Sequence, residues 1–312
     1  MTVENDYLVF ANSSTNIETQ TSYAAYAALA AGETADTIAS SARFNKAMRQ
    51  GTSIAAMIAA FAVQQSGLPM VDNGSIAGLL TAFTAAVQGR WIGTQRFAAN
   101  GTYTANPLAR FILVEAVGGG GGSGGTQACS NMQNAVSGGG QAGSFARAQF
   151  TSGFTGGIAV TLGLGGTGGG AGNNNGNQGG TTTFGSLISA PGGAGGTKGS
   201  AQTTASGAII ATGLAQTVVC TVTGASDIQI NTIGAAAAPG ASSLLIQAGA
   251  GGSSIYGNQP PGGTLKNDTQ SNPAIAGAYP GCGATGGSNN TDTSNLAGAA
   301  GANGYVVVYE FG

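Results

Sequence analysis

The residue types that most often carry chemistry are sparse in this sequence of 312 residues, and their spacing fits no familiar site. There is no histidine, which removes the commonest general base and the commonest metal ligand together. Cys129, Cys220 and Cys282 are odd in number, far apart and outside any C-x-x-C spacing, so they read as buried or idle thiols. Gly163-Leu164-Gly165-Gly166-Thr167-Gly168 matches G-x-G-x-x-G after an apolar stretch. A dinucleotide site needs a helix to open at the third glycine, and Gly169-Gly170-Ala171-Gly172-Asn173-Asn174-Asn175 cannot supply one. In Ala194-Gly195-Gly196-Thr197-Lys198-Gly199-Ser200 the lysine follows threonine and Gly199 separates it from Ser200, so this is no phosphate loop and Lys198 reads as a solvated turn residue. Glycoside cleavage normally needs two positioned carboxylates. Glu115 and Glu310 fall in expected strands, and Asp227, Asp268 and Asp292 fall in polar loops where turn formation is their ordinary role. The expectation is a chain with no catalytic residue, no metal and no cofactor.

Recognition is the remaining use for its polar groups. The loops around Cys129–Asn134, Asn173–Gln178, Ile255–Pro261, Ala278–Pro280 and Ser288–Asp292 combine amides and hydroxyls with tyrosines. Amides pair with sugar hydroxyls or backbone groups, and tyrosine offers a flat apolar face with a polar end. The candidate contact residues are Asn131, Gln133, Asn174, Tyr256, Asn258, Tyr279, Asn289, Asn290 and Asp292.

Composition divides the scaffold that must hold these loops. Eight of the 58 glycines lie in residues 1–110 and fifty lie in 111–312. Glycine is costly in helices and permissive in turns and close contacts, so only the first third can be helical. Nine basic and eleven acidic residues leave a net charge of -2. Between Ala116 and Tyr309 the cations are Arg147, Lys198 and Lys266, too few for a nucleic-acid surface. No apolar run is long enough to insert into a membrane, and the first residues lack the basic and apolar regions of a secretory signal.

Residues 1–20 read as an attachment segment, and 21–92 as a helical shaft or oligomerisation region. A short helix is expected over Tyr23–Leu29, with Ser22 as its cap and Gly32 as its stop. A second covers about 37–65, with Ile54, Ile58 and Phe61 on one stripe and Met57 beside it. A third places Ile76, Leu79, Leu80, Phe83 and Val87 on one face. Such thin stripes bury little alone, which leaves two solutions open: a bundle within the chain, or a closed assembly of copies.

Residues 93–312 read as a β-rich, sandwich-like tip. Strands are expected at Phe111–Val117 and Tyr305–Phe311, with shorter ones at 158–164, 181–188, 208–210, 218–222, 228–233 and 243–247, and a hairpin turn at Asn100-Gly101. Glycine recurs every third residue at Gly163, Gly166, Gly169 and Gly172, at Gly193, Gly196 and Gly199, and at Gly298, Gly301 and Gly304. Three residues per turn is the polyproline II repeat, so short, closely packed extended helices are expected within the tip. The expected fold class is therefore α + β and multidomain, a helical shaft followed by a glycine-rich β tip.

Three segments together resemble bacteriophage and prophage tail-fibre proteins. Ser41-Ala42-Arg43-Phe44-Asn45-Lys46-Ala47-Met48-Arg49-Gln50 with Asp72-Asn73-Gly74-Ser75 is similar to their N-terminal half. Gln95-Arg96-Phe97-Ala98-Ala99-Asn100-Gly101-Thr102-Tyr103, Ile112-Leu113-Val114-Glu115 and Gly118–Gly122 resemble the start of a glycine-rich C-terminal domain. Phe184-Gly185, Ala190–Gly196 and the closing Gly304–Tyr309 fit the same domain. The resemblance implies a homotrimer, attachment to a tail or baseplate, a place in the virion, and adsorption to a glycan or outer-membrane protein of the host. The alternatives are a tail-associated polysaccharide depolymerase and a glycine-rich structural or ice-binding protein.

Overall fold

The computed structural model describes residues 4–13, 15–26, 29, 40–87, 89, 91–130, 132–203, 209–211, 217–242, 246–259, 261–262, 264–265, 271–290 and 292–312. They fall into two compact units, Met1–Arg90 and Trp91–Gly312.

Among its described residues the first unit holds three helices: α1 (Gln20–Ala24), α2 (Ser41–Ser66) and α3 (Ile76–Ala86). Thr19 caps α1, its hydroxyl oxygen accepting from Ser22 N at 3.2 Å, so Ser22 lies inside the helix instead of before it. The expected stop at Gly32 lies outside the described residues. Gly67 ends α2 in the left-handed conformation (φ 68°), where its N–H still reaches Val63 O. Ser75 caps α3 through Gly78 N at 3.2 Å. Arg43 is held by Glu18, Nε to Oε2 at 3.0 Å and Nη2 to Oε1 at 3.3 Å, and its guanidinium lies 3.6 Å from the centre of the Tyr26 ring.

These helices do not form a shaft. α2 and α3 fold back on each other, and their contact is made by small residues: Ala59, Ala62, Ala82 and the intervening Met70 are buried, with Tyr7, Val63, Leu79 and Ala86 around them. Apart from Leu79, most large side chains of the expected stripes point elsewhere. Ile54, Met57, Ile58 and Phe61 on α2, and Ile76, Leu80 and Phe83 on α3, are exposed. Alanines let two helix backbones approach closely, and that contact wins over the bulkier stripes.

The second unit is built from β-strands and extended glycine segments. One antiparallel sheet runs β1 (Trp91–Phe97), β18 (Tyr305–Phe311), β3 (Phe111–Val117), β5 (Phe145–Phe150) and β12 (Asp227–Thr232). A second runs β11 (Thr221–Val222), β8 (Ile188–Ala190), β7 (Thr182–Phe184), β6 (Ile158–Thr161) and β2 (Gly101–Tyr103). Ile112, Val114, Phe150, Val306 and Val308 of the first share a buried core with Tyr103, Val160, Phe184 and Ile188 of the second. Two four-stranded antiparallel sheets follow: β16 (Ser271–Asn272), β17 (Ser288–Asn290), β4 (Gln133–Val136) and β9 (Gln202–Thr203); and β10 (Ile209–Ala211), β13 (Gly240–Ser242), β14 (Ile246–Gln247) and β15 (Thr264–Leu265).

Between the large sheets and the β4–β17 sheet lies an array that contains no strand. Residues 118–125 leave the end of β3 and are buried throughout. Their N–H groups step by three onto three surrounding segments: Gly118, Gly121 and Gly124 donate to Ser144, Gln141 and Gly138; Gly119, Gly122 and Gly125 to Gly180, Asn177 and Asn174; Gly120 and Ser123 to Ala302 and Ala299. Their carbonyls accept from three more: Gly193, Gly196 and Gly199 donate to Gly119, Gly122 and Gly125; Gly166 and Gly169 to Gly120 and Ser123; Ala284 to Gly121. A period of three bonds marks an extended helix with three residues per turn, here surrounded by six others. The array has no side-chain core. What holds it is near-complete pairing of buried backbone, each bond contributing about 1 kcal/mol net and costing more if left unmade.

The expected α + β fold with a helical shaft and a sandwich-like tip is thus corrected. The chain is β-rich; its described helices span 5, 26 and 11 residues, the two longer ones folded against each other, and the sheets stand at the ends of a glycine array. The expected hairpin at Asn100-Gly101 is absent as well. β1 pairs with β18 and β2 with β6, so the chain changes sheets at that corner, where Asn100 Oδ1 accepts from Leu162 N at 2.8 Å.

Candidate functional site

The array fixes where its connecting loops emerge. At the end away from the two large sheets, stretches distant in sequence meet. Cys129 N donates to Asp292 O at 2.7 Å and Ala128 N to Asn295 Oδ1 at 2.8 Å. Lys198 N donates to Asn175 Oδ1 at 2.9 Å, and Ser200 Oγ bonds Asn173 Oδ1 at 2.8 Å. Ala201 N reaches Gln127 Oε1 at 3.1 Å. The result is one surface on which Gln127, Ser130, Met132, Asn173, Asn174, Asn175, Lys198, Gln202, Thr293, Ser294 and Asn295 are exposed. It is rich in amides and hydroxyls and carries little charge.

Five of the nine candidate contact residues lie in this region. Asn174 is exposed, its Nδ2 tied to Gly170 O and Ala171 O at 3.2 Å. Gln133 is half-buried and closes its own loop, Oε1 accepting from Ser130 N at 2.9 Å. Asn289 is fully buried and donates to Gln127 O at 3.2 Å and Ser294 O at 2.9 Å, which makes it a brace for the loops and not a contact. Asn290 is half-buried beside it on β17. Asp292 Oδ1 accepts from Ser294 N at 2.9 Å, and that bond, followed by one from the Ser271 hydroxyl, holds its carboxyl below the usual range. Asn131 lies outside the described residues.

The other three stand near the large sheets, away from that surface. Tyr256 is half-buried, its hydroxyl donating to Glu115 Oε2 at 3.2 Å and its ring set edge-on to Phe145 and Tyr305. Asn258 is exposed nearby, and the exposed Tyr279 ring covers Gly257, where a Cβ would lie 2.4 Å from it. The polar neighbours of Asn289 give it the look of a loop residue although it is buried on β17, while nothing in the sequence marks Gln127 and Asn295, whose only distinguishing property is the company that the fold gives them.

Gly163–Gly168 is one of the packed rods. A Cβ at Gly165 would stand 1.8 Å from Gly301 O, and no helix follows. Of the carboxylates, Glu115 pairs with Arg147 (Oε1 to Nε, 3.5 Å) and Tyr256, Glu310 accepts from Tyr103, and Asp268 lies outside the described residues. Among the described residues no three His, Cys, Asp or Glu side chains gather.

With this geometry in place, comparison with known families is decisive for residues 95–310, which match the model of the glycine-rich domain. The chain belongs to the glycine-rich domain family. No curated protein matches the sequence.

All three thiols of this glycine-rich domain are buried and unpaired. Burial pushes Cys220 up to about 12 and Cys129, with Asp292 adding to the effect, up to about 11. Folded protein at pH 8 is therefore expected to resist alkylation at both, while unfolded protein is modified at all three cysteines; mass spectrometry reads the difference. A raised folded pKa means that this contribution is complete below the ordinary thiol range. It is lost as pH climbs from there towards about 12, so melting temperature falls across that window.

Proposed function

We propose that this protein is the receptor-binding tail fibre of a bacteriophage or prophage, and that the amide-rich surface at the far end of the glycine array contacts the bacterial surface, a glycan or an outer-membrane protein. One observation carries the reading: four stretches far apart in sequence, around residues 127–133, 173–175, 198–203 and 289–295, are gathered on rods whose backbones are locked to one another. Loops on a rigid scaffold are where recognition usually sits, and ordering them in advance lowers the entropic cost of binding. The tail-fibre resemblance of residues 36–87 and 95–309 supplies the context.

The first unit is the part proposed to assemble and attach. Among its described residues the buried apolar side chains are Tyr23, three alanines and a methionine, while Ile54, Met57, Phe61, Ile76 and Leu80 face outward. Copies of the chain, three by family resemblance, would cover them, and several copies strengthen weak contacts at the tips. A monomer mass by light scattering would remove the assembly from the proposal.

The test of the contact surface uses labelled full-length protein on cells sensitive to the virus. It should decorate them and compete with virion adsorption. Met132→Glu with Thr293→Arg, two side chains that brace nothing, should cut both effects by about tenfold or more at unchanged melting temperature. Folded protein that binds no cells, or a variant that binds them equally well, refutes the assignment.

A further inference from the structure

In a unit so poor in charge, the sheet formed by β1, β18, β3, β5 and β12 concentrates what there is. Strand register aligns Arg96, Val307, Glu115, Arg147 and Ile230 in one row across all five strands. Side chains alternate, so this row lies on the face opposite the buried core of Val114, Ala116, Ala146 and Val308. Tyr305 and Tyr309 stand two residues either side of Val307 on the same face.

The polar groups of this row are incompletely used. Glu115 is shared between the Tyr256 hydroxyl (3.2 Å) and Arg147 Nε (3.5 Å), an ion-pair distance at which that buried Nε has no hydrogen-bond partner. Arg147 keeps 39% of its side chain exposed, and Arg96 is exposed. The hydroxyls of the half-buried Tyr305 and Tyr309 have no hydrogen bond to the described residues. Burial and then Glu115 raise the Tyr309 pKa while Arg147 and Arg96 oppose them, which puts its phenol within electrostatic reach of all three charged groups. The row thus carries two guanidiniums and one carboxylate, that carboxylate already engaged by Arg147 and Tyr256, with the Tyr305 and Tyr309 hydroxyls beside it.

We infer that this sheet face is a second binding site, for a sugar that bears a carboxylate. A guanidinium offers paired donors that match a carboxylate, the tyrosine rings present flat apolar surface to a pyranose, and their hydroxyls reach its oxygens. The site does not use the far-end loops and does not depend on their role.

The experiment titrates the full chain with a trisaccharide of galacturonic acid and with the neutral trisaccharide of galactose, followed by calorimetry. The acidic sugar should bind and the neutral one should not. Arg147→Gln and Arg96→Gln should each weaken binding by about tenfold, as should raised salt, because both remove charge-assisted pairing. Arg96 packs into no core, so its variant reads binding even if Arg147→Gln disturbs the sheet. Met132→Glu with Thr293→Arg should leave this binding unchanged. No heat with the acidic sugar, equal binding of the neutral one, or indifference to both arginine variants overturns the site.

Discussion

Gly120→Ala is expected to yield a protein whose glycine-rich unit does not fold. A Cβ at residue 120 would stand 1.9 Å from Cys282 O and 2.3 Å from Cys282 C, and these are backbone atoms that no rotamer can move. The neighbouring segment is pinned in turn, since Gly283 donates to Gly252 O, and Ala302, which accepts from Gly120, donates to Cys282 O. Relief requires rods to separate, and separation breaks bonds between buried groups that have no water to turn to. Ordinary overpacking costs about 1–3 kcal/mol; here the loss should exceed about 5 kcal/mol, comparable to the whole stability of many domains. Gly51→Ala supplies the contrast. Gly51 is exposed within α2 with nothing within 4 Å of its would-be Cβ, so alanine should stabilise the first unit by about 1 kcal/mol. Circular dichroism and denaturant titration of both variants decide the matter. A Gly120→Ala protein that melts within a few degrees of the parent would show that the rods are not in backbone contact.

The same contrast explains what the sequence could and could not reveal. A glycine at every third position is legible as a three-residue turn, because only glycine tolerates backbone contact on one side of each turn. Which rods touch is not legible: Gly119 meets Leu164, and Gly120 meets Cys282, through carbonyls that every residue possesses. The long apolar strands at Phe111–Val117 and Tyr305–Phe311 announce themselves. β5 does not, because its core-facing residues include Ala146 and Ala148, too small to mark a buried strand. Small residues mislead again in α2, where Ala59 and Ala62 make the contact within the chain and the bulkier Ile54 and Ile58 of the visible stripe stay exposed. The Asn-rich loops could be found individually. Their gathering at one end depends on the lengths and directions of the rods between them, which composition does not encode.

Glu310→Ala is expected to produce the second large effect, through one carboxylate oxygen. β18 lies between β1 and β3, and Glu310 on it is 3% exposed. Its Oε1 accepts from Tyr103 Oη at 2.9 Å, from Asn106 N at 2.9 Å and from Gln95 Nε2 at 3.3 Å. Tyr103 belongs to β2 of the facing sheet and is itself fully buried, so this oxygen ties the two large sheets together. Gly93 makes room for it, since a Cβ there would lie 2.9 Å from Oε2. Alanine at 310 strands buried donors and leaves a cavity, a loss of about 3–5 kcal/mol. Tyr103→Phe removes only one donor and should cost about 1.5–3 kcal/mol. In the Glu310→Ala background the same change should cost far less, because the acceptor has gone; a coupling of about 1–2 kcal/mol by double-mutant cycle is expected. Burial, followed by the Glu310 carboxylate, holds the Tyr103 pKa above its ordinary 10.0. Its contribution is therefore complete below about pH 10 and is lost as pH rises beyond it. Chemical denaturation at neutral pH and at about pH 11 reads both effects. Additive losses in the double variant, or a Tyr103→Phe protein that loses stability above pH 10 as steeply as the parent, would mean that the tie between the sheets lies elsewhere.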